Sequence, residues 1–283
     1  MKLDMGRAWN DAMAKLSANR EMVLIVSGVF FFLPYLALAF FMPTDIAQLQ
    51  AGGGPRQPNF EQLGELMLEF YSSFWWAFLL IGILQGIGTL VLMIVLADRA
   101  RPTLGEALAL GAKLYLPLFA AQFLTAIAMI LMMMAPIVLG AAGAASGATF
   151  LVVLAVLLGI AVVVATIYVY TKLSLAPAVF AVEQTMNPID ALRQSWRATK
   201  GNSLMLFLFY VLLILAIAVI SFILSMVTGL IFALTGPQAA LYGNGFVSSL
   251  VNAATAALMA AVVVSVYLQL TGGGSAAVSE TFE

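Results

Sequence analysis

Four stretches without a single Asp, Glu, Lys or Arg, at 22–44, 70–97, 114–171 and 201–279, constrain this chain more than any other feature. About 20 consecutive apolar residues in a helix cross the roughly 30 Å hydrocarbon layer of a bilayer. The first two stretches are long enough for one crossing each. The third is long enough for two and is interrupted by small residues at 140–147 (GAAGAASG). The fourth is interrupted at 235–245 (TGPQAALYGNG), so both read as helical hairpins. The expectation is an all-α polytopic membrane protein with six transmembrane helices, near 22–42, 74–97, 114–139, 149–171, 204–234 and 246–270. Composition agrees. The chain is 63% hydrophobic and 9% charged with a mean hydropathy of +1.07, where soluble domains carry about 25% charge.

The 12 basic residues set the expected threading. Lys2, Arg7, Lys15 and Arg20 precede helix 1, and Arg99, Arg101 and Lys113 separate helices 2 and 3. Lys172, Arg193, Arg197 and Lys200 separate helices 4 and 5, and Arg56 alone falls on the other side. The positive-inside rule then puts both termini in the cytoplasm and, in a bacterium, the protein in the inner membrane. A basic start followed by Ala37-Leu38-Ala39 superficially resembles a cleavable signal peptide. Asp4, Asp11 and Glu21 in that start favour a retained first helix instead.

The charged blocks have helical patterning of their own. Met5, Trp9, Ala12, Met13 and Leu16 share one face of an N-terminal helix, with Arg7, Asn10, Asp11 and Lys15 opposite. That is the pattern of a helix lying in the membrane interface. Thr103 and Glu106 form a capping-box signature ahead of Leu104, Ala107 and Leu108. Asn187, Pro188 and Asp190 supply an N-cap, a first-turn Pro and an acid ahead of the stripe Ile189, Leu192 and Trp196. Each block carries an acid followed by Ala: Asp11-Ala12, Glu106-Ala107 and Asp190-Ala191. We therefore expect three pseudo-repeats of one cytoplasmic amphipathic helix plus one hairpin, about 1–98, 99–172 and 173–271, with a flexible tail at 272–283. Together they make one integral membrane domain.

Two segments carry a family resemblance. One is Ala8-Trp9-Asn10-Asp11-Ala12 with Ser17-Ala18-Asn19-Arg20 and the Phe/Leu-rich helix that follows. The other runs from Leu173-Ser174-Leu175-Ala176-Pro177 through Glu183 and Asn187-Pro188-Ile189-Asp190-Ala191-Leu192-Arg193-Gln194-Ser195-Trp196-Arg197 to Asn202. The chain resembles the membrane domain attached to some bacterial glycerophosphoryl diester phosphodiesterases, and related stand-alone six-helix inner-membrane proteins. The resemblance implies location and architecture, and it supplies no catalytic residues to carry over. The chain departs from it at Tyr267-Leu268-Gln269-Leu270, where a basic residue after the tyrosine is expected.

Missing residue types remove whole chemistries. With no Cys and no His, thiolate nucleophiles, zinc-thiolate sites, His-ligated haem and Ser-His-Asp triads are excluded. The net charge of −1 gives no reason to expect nucleic acid. No ionisable Asp, Glu, Lys or Arg lies in an expected membrane core, which argues against proton-driven transport and intramembrane acid–base catalysis. Gln85, Gln122, Thr125, Thr166, Ser221, Ser225, Thr228, Asn252, Thr255 and Ser265 are among the uncharged polar residues there. They either line a path for an amphipathic solute or bond between helices. Gly82, Gly86 and Gly88 provide a small-residue packing face on helix 2, toward this chain or a second copy. Pro34, Pro117, Pro136 and Pro177 permit kinks. On the outer side, Glu61, Glu65 and Glu69 make an acidic stripe that leads into Tyr71, Phe74, Trp75 and Trp76. It reads either as a hydrated face or as a seat for a cation.

The functional expectation is a protein that is not an enzyme, needs no cofactor or metal, and handles or senses membrane lipid. The interfacial residues expected to meet anionic headgroups are Trp9, Lys15, Arg20, Arg99, Arg101, Arg193, Trp196, Arg197 and Lys200. The alternatives are a scaffold or accessory subunit in a homo-oligomer or larger membrane complex, and a small-solute carrier.

Overall fold

Every regular element among the described residues is a helix, as the apolar runs and the scarcity of strand-like alternation dictate. The computed structural model describes residues 2–41, 60–97, 102–234 and 236–272. Helix α1 (Met5–Ala18) begins where the Asp4 carboxylate accepts from the Arg7 amide at 3.0 Å. The first long apolar run follows as α2 (Arg20–Ser27), a π-helical turn (Gly28–Phe32) and α3 (Leu33–Phe41). Pro34 explains the interruption: it donates no hydrogen bond, and its ring crowds the carbonyl four residues back. The wider π turn relieves that crowding, and Asn252 Nδ2 from the last helix donates to the Phe31 carbonyl at 3.4 Å.

Helix α4 (Phe60–Leu96) bends at Phe74, whose φ of −114° and ψ of 17° leave the helical region. Helices α5 (Leu104–Ser146) and α6 (Thr149–Leu173) form a hairpin. After them come α7 (Ala176–Glu183), α8 (Pro188–Ala198), α9 (Ser203–Ala233) and α10 (Pro237–Thr271). Six helices are long and apolar enough to cross a membrane, so the chain is a multi-pass, all-helical membrane protein.

Three boundaries differ from the sequence reading. The block at 104–113 is no separate short helix. It is the first turns of α5, started by the Thr103–Glu106 capping box and continued because nothing before Pro117 breaks it. At 43 residues α5 reaches about 64 Å, well beyond a bilayer core. The GAAGAASG run does not end the helix at 139 either. Its alanines sustain it to Ser146, and only Gly147, left-handed at φ 67°, turns the chain. Gly143 has a packing role in that hairpin, since a Cβ there would meet Leu151 Cβ and the Val152 amide at 2.9 Å. The break at 235–245 is likewise shorter than expected: α10 starts at Pro237, a residue suited to a first helical turn.

Packing is concentrated at the end of the bundle that carries most of the basic residues. Residues 90–97 of α4 and 260–268 of α10 are buried on every face, and α7, almost wholly apolar, is buried between them and its neighbours. Helices that are apolar all round belong inside. Helix α10 is the hub and touches α1, α4, α7, α8 and α9 as well as the first crossing. The hairpin α5–α6 leans on α4, α7, α8 and α9, but its far half presents apolar side chains outward, for example Leu157 at 60% exposure.

Candidate functional site

Helix α8 folds back under the end of α6, and the Ser195 hydroxyl holds it there. Ser195 Oγ donates to the Lys172 carbonyl at 2.8 Å, while Thr199 Oγ1, which donates back to the Ser195 carbonyl at 3.0 Å, lies 3.4 Å from the same Lys172 oxygen. Both residues are fully buried. A carbonyl at a helix C-terminus lacks an intrahelical partner, so the Ser195 bond supplies what the helix cannot. The docking brings Trp196 edge-on to Tyr168, with ring centroids 5.9 Å apart at 89°. Lys172, one turn after Tyr168, places Nζ 5.6 Å from the Tyr168 ring and 5.5 Å from the Trp196 ring. Such cation–π contacts contribute about 0.5–2 kcal/mol each.

Lys172 is only 3% exposed, and no carboxylate among the described residues pairs with it. The acids on the neighbouring short helices are engaged elsewhere. Glu183 Oε1 accepts from the Tyr267 hydroxyl at 3.2 Å, and Asp190 meets Asn187 Nδ2 at 2.8 Å and Arg193 at 3.9 Å.

One turn back along α8 from Trp196, Leu192 forms part of the wall of a cavity of about 330 Å3 between α5, α6, α7 and α8. Leu118, Ala121, Met129, Leu173 and Pro177 make most of the wall apolar. The polar contributions come from Gln122, Thr125, Tyr170 and Ser174. Thr125 is committed to the Ala121 carbonyl at 2.8 Å. Ser174 Oγ donates to the Thr171 carbonyl at 2.9 Å and lies 3.3 Å from the Tyr210 hydroxyl. Gln122 makes no hydrogen bond among the described residues and is exposed to the cavity. The arrangement suits an elongated amphiphile better than a fully hydrated solute. A second cavity of about 290 Å3, lined by Pro34, Leu38, Phe41, Trp76 and Leu80 among others, is almost wholly apolar.

The residues singled out in the sequence fall into separate places. Arg193, Trp196, Arg197 and Lys200 lie on or just after α8, all exposed at least in part. Trp9 and Lys15 lie on α1 and Arg20 opens α2. Helix α1 docks on α10 through Ala8 and Ala12, and Trp9 stays 38% exposed. The Leu3 amide donates to Asn202 Oδ1 at 2.9 Å and straps the N-terminus to the start of α9. Arg99, Arg101 and the side chain of Glu61 lie outside the described residues, while Glu65 and Glu69 are exposed. The three glycines of helix 2 do not act alike. A Cβ at Gly86 would overlap the Tyr115 ring, one at Gly88 would meet Phe30 and Phe31, and one at Gly82 would meet nothing within 4 Å.

Sequence reasoning used Lys172 only as a topological charge and passed over Tyr168, Ser195 and Thr199. Their i, i+4 spacings (168/172 and 195/199) were a usable signal, but only the docking of α8 against α6 gives those spacings a meaning. Among the described residues no group of three or more His, Cys, Asp or Glu side chains comes together to hold a metal.

Fold and site define a helical multi-pass membrane protein with a basic, aromatic corner beside a mostly apolar cavity. Residues 34–270 match the family described as Domain of unknown function (DUF7847), and the chain belongs to that family. The match carries no link to the glycerophosphoryl diester phosphodiesterase membrane domain, so that resemblance is replaced by this assignment. No curated protein and no solved structure matches the chain.

Proposed function

We propose that this protein is a non-catalytic lipid-handling protein that takes part of an amphiphile into the cavity between α5, α6, α7 and α8. The observation that carries the reading is the cavity itself: a mostly apolar wall that includes Tyr170 and Gln122, the latter unpaired among the described residues. Ligand pockets combine an apolar lining with a few polar groups that fix orientation. A volume of about 330 Å3 suits one segment of a lipid better than a whole lipid. In this reading the basic end faces the cytoplasm, as the distribution of Lys and Arg supports. The membrane is the bacterial inner membrane, and α1, the start of α5 and α8 act as three related amphipathic elements at its surface.

The test is lipid retention during purification, with Ala126→Phe as the perturbation. Ala126 lines the cavity and is exposed to it, so a phenyl ring fills space without displacing buried atoms. Loss of co-purified lipid, with the melting curve unchanged, supports the proposal; unchanged retention refutes it. A scaffold is the second reading. It is favoured by the far half of α5–α6, whose outward apolar surface would suit a partner helix as well as lipid.

A further inference from the structure

A hydrogen-bond donor left without an acceptor is costly in a bilayer, where little water is at hand to meet it. Four polar residues border the cavity between α5, α6, α7 and α8, and two of them have already spent their hydroxyl protons. Thr125 Oγ1 donates to the Ala121 carbonyl at 2.8 Å, and Ser174 Oγ donates to the Thr171 carbonyl at 2.9 Å. Gln122 and Tyr170 make no hydrogen bond among the described residues. One amide NH2 and one phenol hydroxyl therefore remain as donors. No Asp, Glu, Lys or Arg borders the cavity, so its wall offers nothing to offset a phosphate or carboxylate drawn inside.

Depth narrows the choice further. Helix α5 meets the cavity between Leu118 and Met129, while α6 meets it in its last turn, through Tyr170 and Leu173. Gln122 therefore stands near the level at which a membrane-spanning helix ends. That is the boundary between hydrocarbon and headgroup layers, where a glycerolipid joins its chains to its polar part. The group that suits such a place is neutral, accepts hydrogen bonds without donating them, and is continuous with a methylene chain. An acyl ester has all three properties.

We propose that the cavity selects glycerolipids by their acyl-ester linkage, with the Gln122 amide donating to an ester carbonyl. The chain lies against the apolar wall, and the charged headgroup stays outside. The inference rests on the lipid-handling reading and adds to it the ligand class and the residue that recognises it. Tyr170 supplies a second donor at the border of the same cavity.

The experiment uses the full chain in neutral detergent, titrated separately with dioctanoyl phosphatidylcholine and its di-O-octyl ether analogue, and read by native mass spectrometry. The two lipids share headgroup and chain length and differ in the two carbonyls. The parent should favour the ester by about fivefold, the ratio that one net hydrogen bond gives. Gln122→Leu keeps most of the bulk, removes the amide and should bind the two lipids equally; Tyr170→Phe should keep part of the preference. Both residues are exposed, so neither change empties a packed core, and an unchanged melting curve checks that. Equal affinities in the parent, or a preference that survives Gln122→Leu, would overturn the proposal. Ala126→Phe separates this inference from the one beneath it. If that variant loses both lipids while the parent binds them equally, lipid handling stands and ester selection fails. If it binds both as the parent does, the cavity is not their site and both readings fail.

Discussion

Gly82 and Gly86 stand one helical turn apart on α4, and the structure gives alanine substitutions there opposite signs. At Gly86 an added Cβ overlaps Cε2 and Cδ2 of Tyr115, a ring that packs against the core and cannot move like a flexible chain end. Overpacking of this kind costs about 1–3 kcal/mol. Replacing an interior helical glycine by alanine returns roughly 1 kcal/mol. Gly86→Ala should therefore destabilise by roughly 0–2 kcal/mol. At Gly82 no atom lies within 4 Å of the added Cβ, so only the gain remains, about 1 kcal/mol or less. The difference between the two variants cancels the helix term and isolates the clash, about 1–3 kcal/mol. Equilibrium unfolding in mixed micelles with rising SDS, followed by circular dichroism, measures both. Tyr115→Ala provides the cycle: in that background Gly86→Ala should lose its penalty. Equal stabilities of Gly82→Ala and Gly86→Ala would refute the reasoning. The same geometry makes Gly82→Leu, and not Gly86→Leu, the informative probe for a second copy, because Gly86 is already packed within the chain.

Asn252→Leu removes the donor that meets the Phe31 carbonyl in the π turn; a loss of about 0.6–1.7 kcal/mol is expected in the same unfolding assay. Asn202→Ala frees the buried Leu3 amide, at a cost of about 1 kcal/mol, and hydrogen exchange should rise across residues 2–18 while α10 stays protected. Lys172→Met should leave the protein as stable or make it more so, read as the melting temperature in detergent. It replaces an enclosed ammonium, whose removal from water offsets its two ring contacts, by an apolar chain that keeps contact with the same rings.

Much of the architecture was legible because it depends on long-range composition. Charge-free runs gave six helices long and apolar enough to cross; Asn187 caps the short helix it was expected to open, and Thr103 caps a helix, though the long α5 and not a short one. Breaks were less legible. The alanine-rich 140–147 run looked like a turn, yet a helix carries glycine at modest cost, and Gly143 is where the two arms of the hairpin approach. Helix α7 was missed because its short apolar run carries neither periodicity nor length, and its burial is decided by distant parts of the chain. The same limit applies to the site. Basic and aromatic residues around Trp196 were visible, but the enclosure of Lys172 depends on a hydroxyl of α8 meeting a carbonyl of α6. The cavity is likewise made by four helices meeting, and no local pattern encodes such a meeting. In α1 the apolar stripe was readable, while its docking through Ala8 and Ala12 and the exposure of Trp9 were not.

Native mass spectrometry of the protein extracted with its own lipid, without prior delipidation, tests the central claim most directly. The account predicts one phospholipid retained per chain at fixed stoichiometry, and its loss in Ala126→Phe. A homo-oligomer or stable hetero-complex that retains no selected lipid, with Ala126→Phe indistinguishable from the parent, would contradict it.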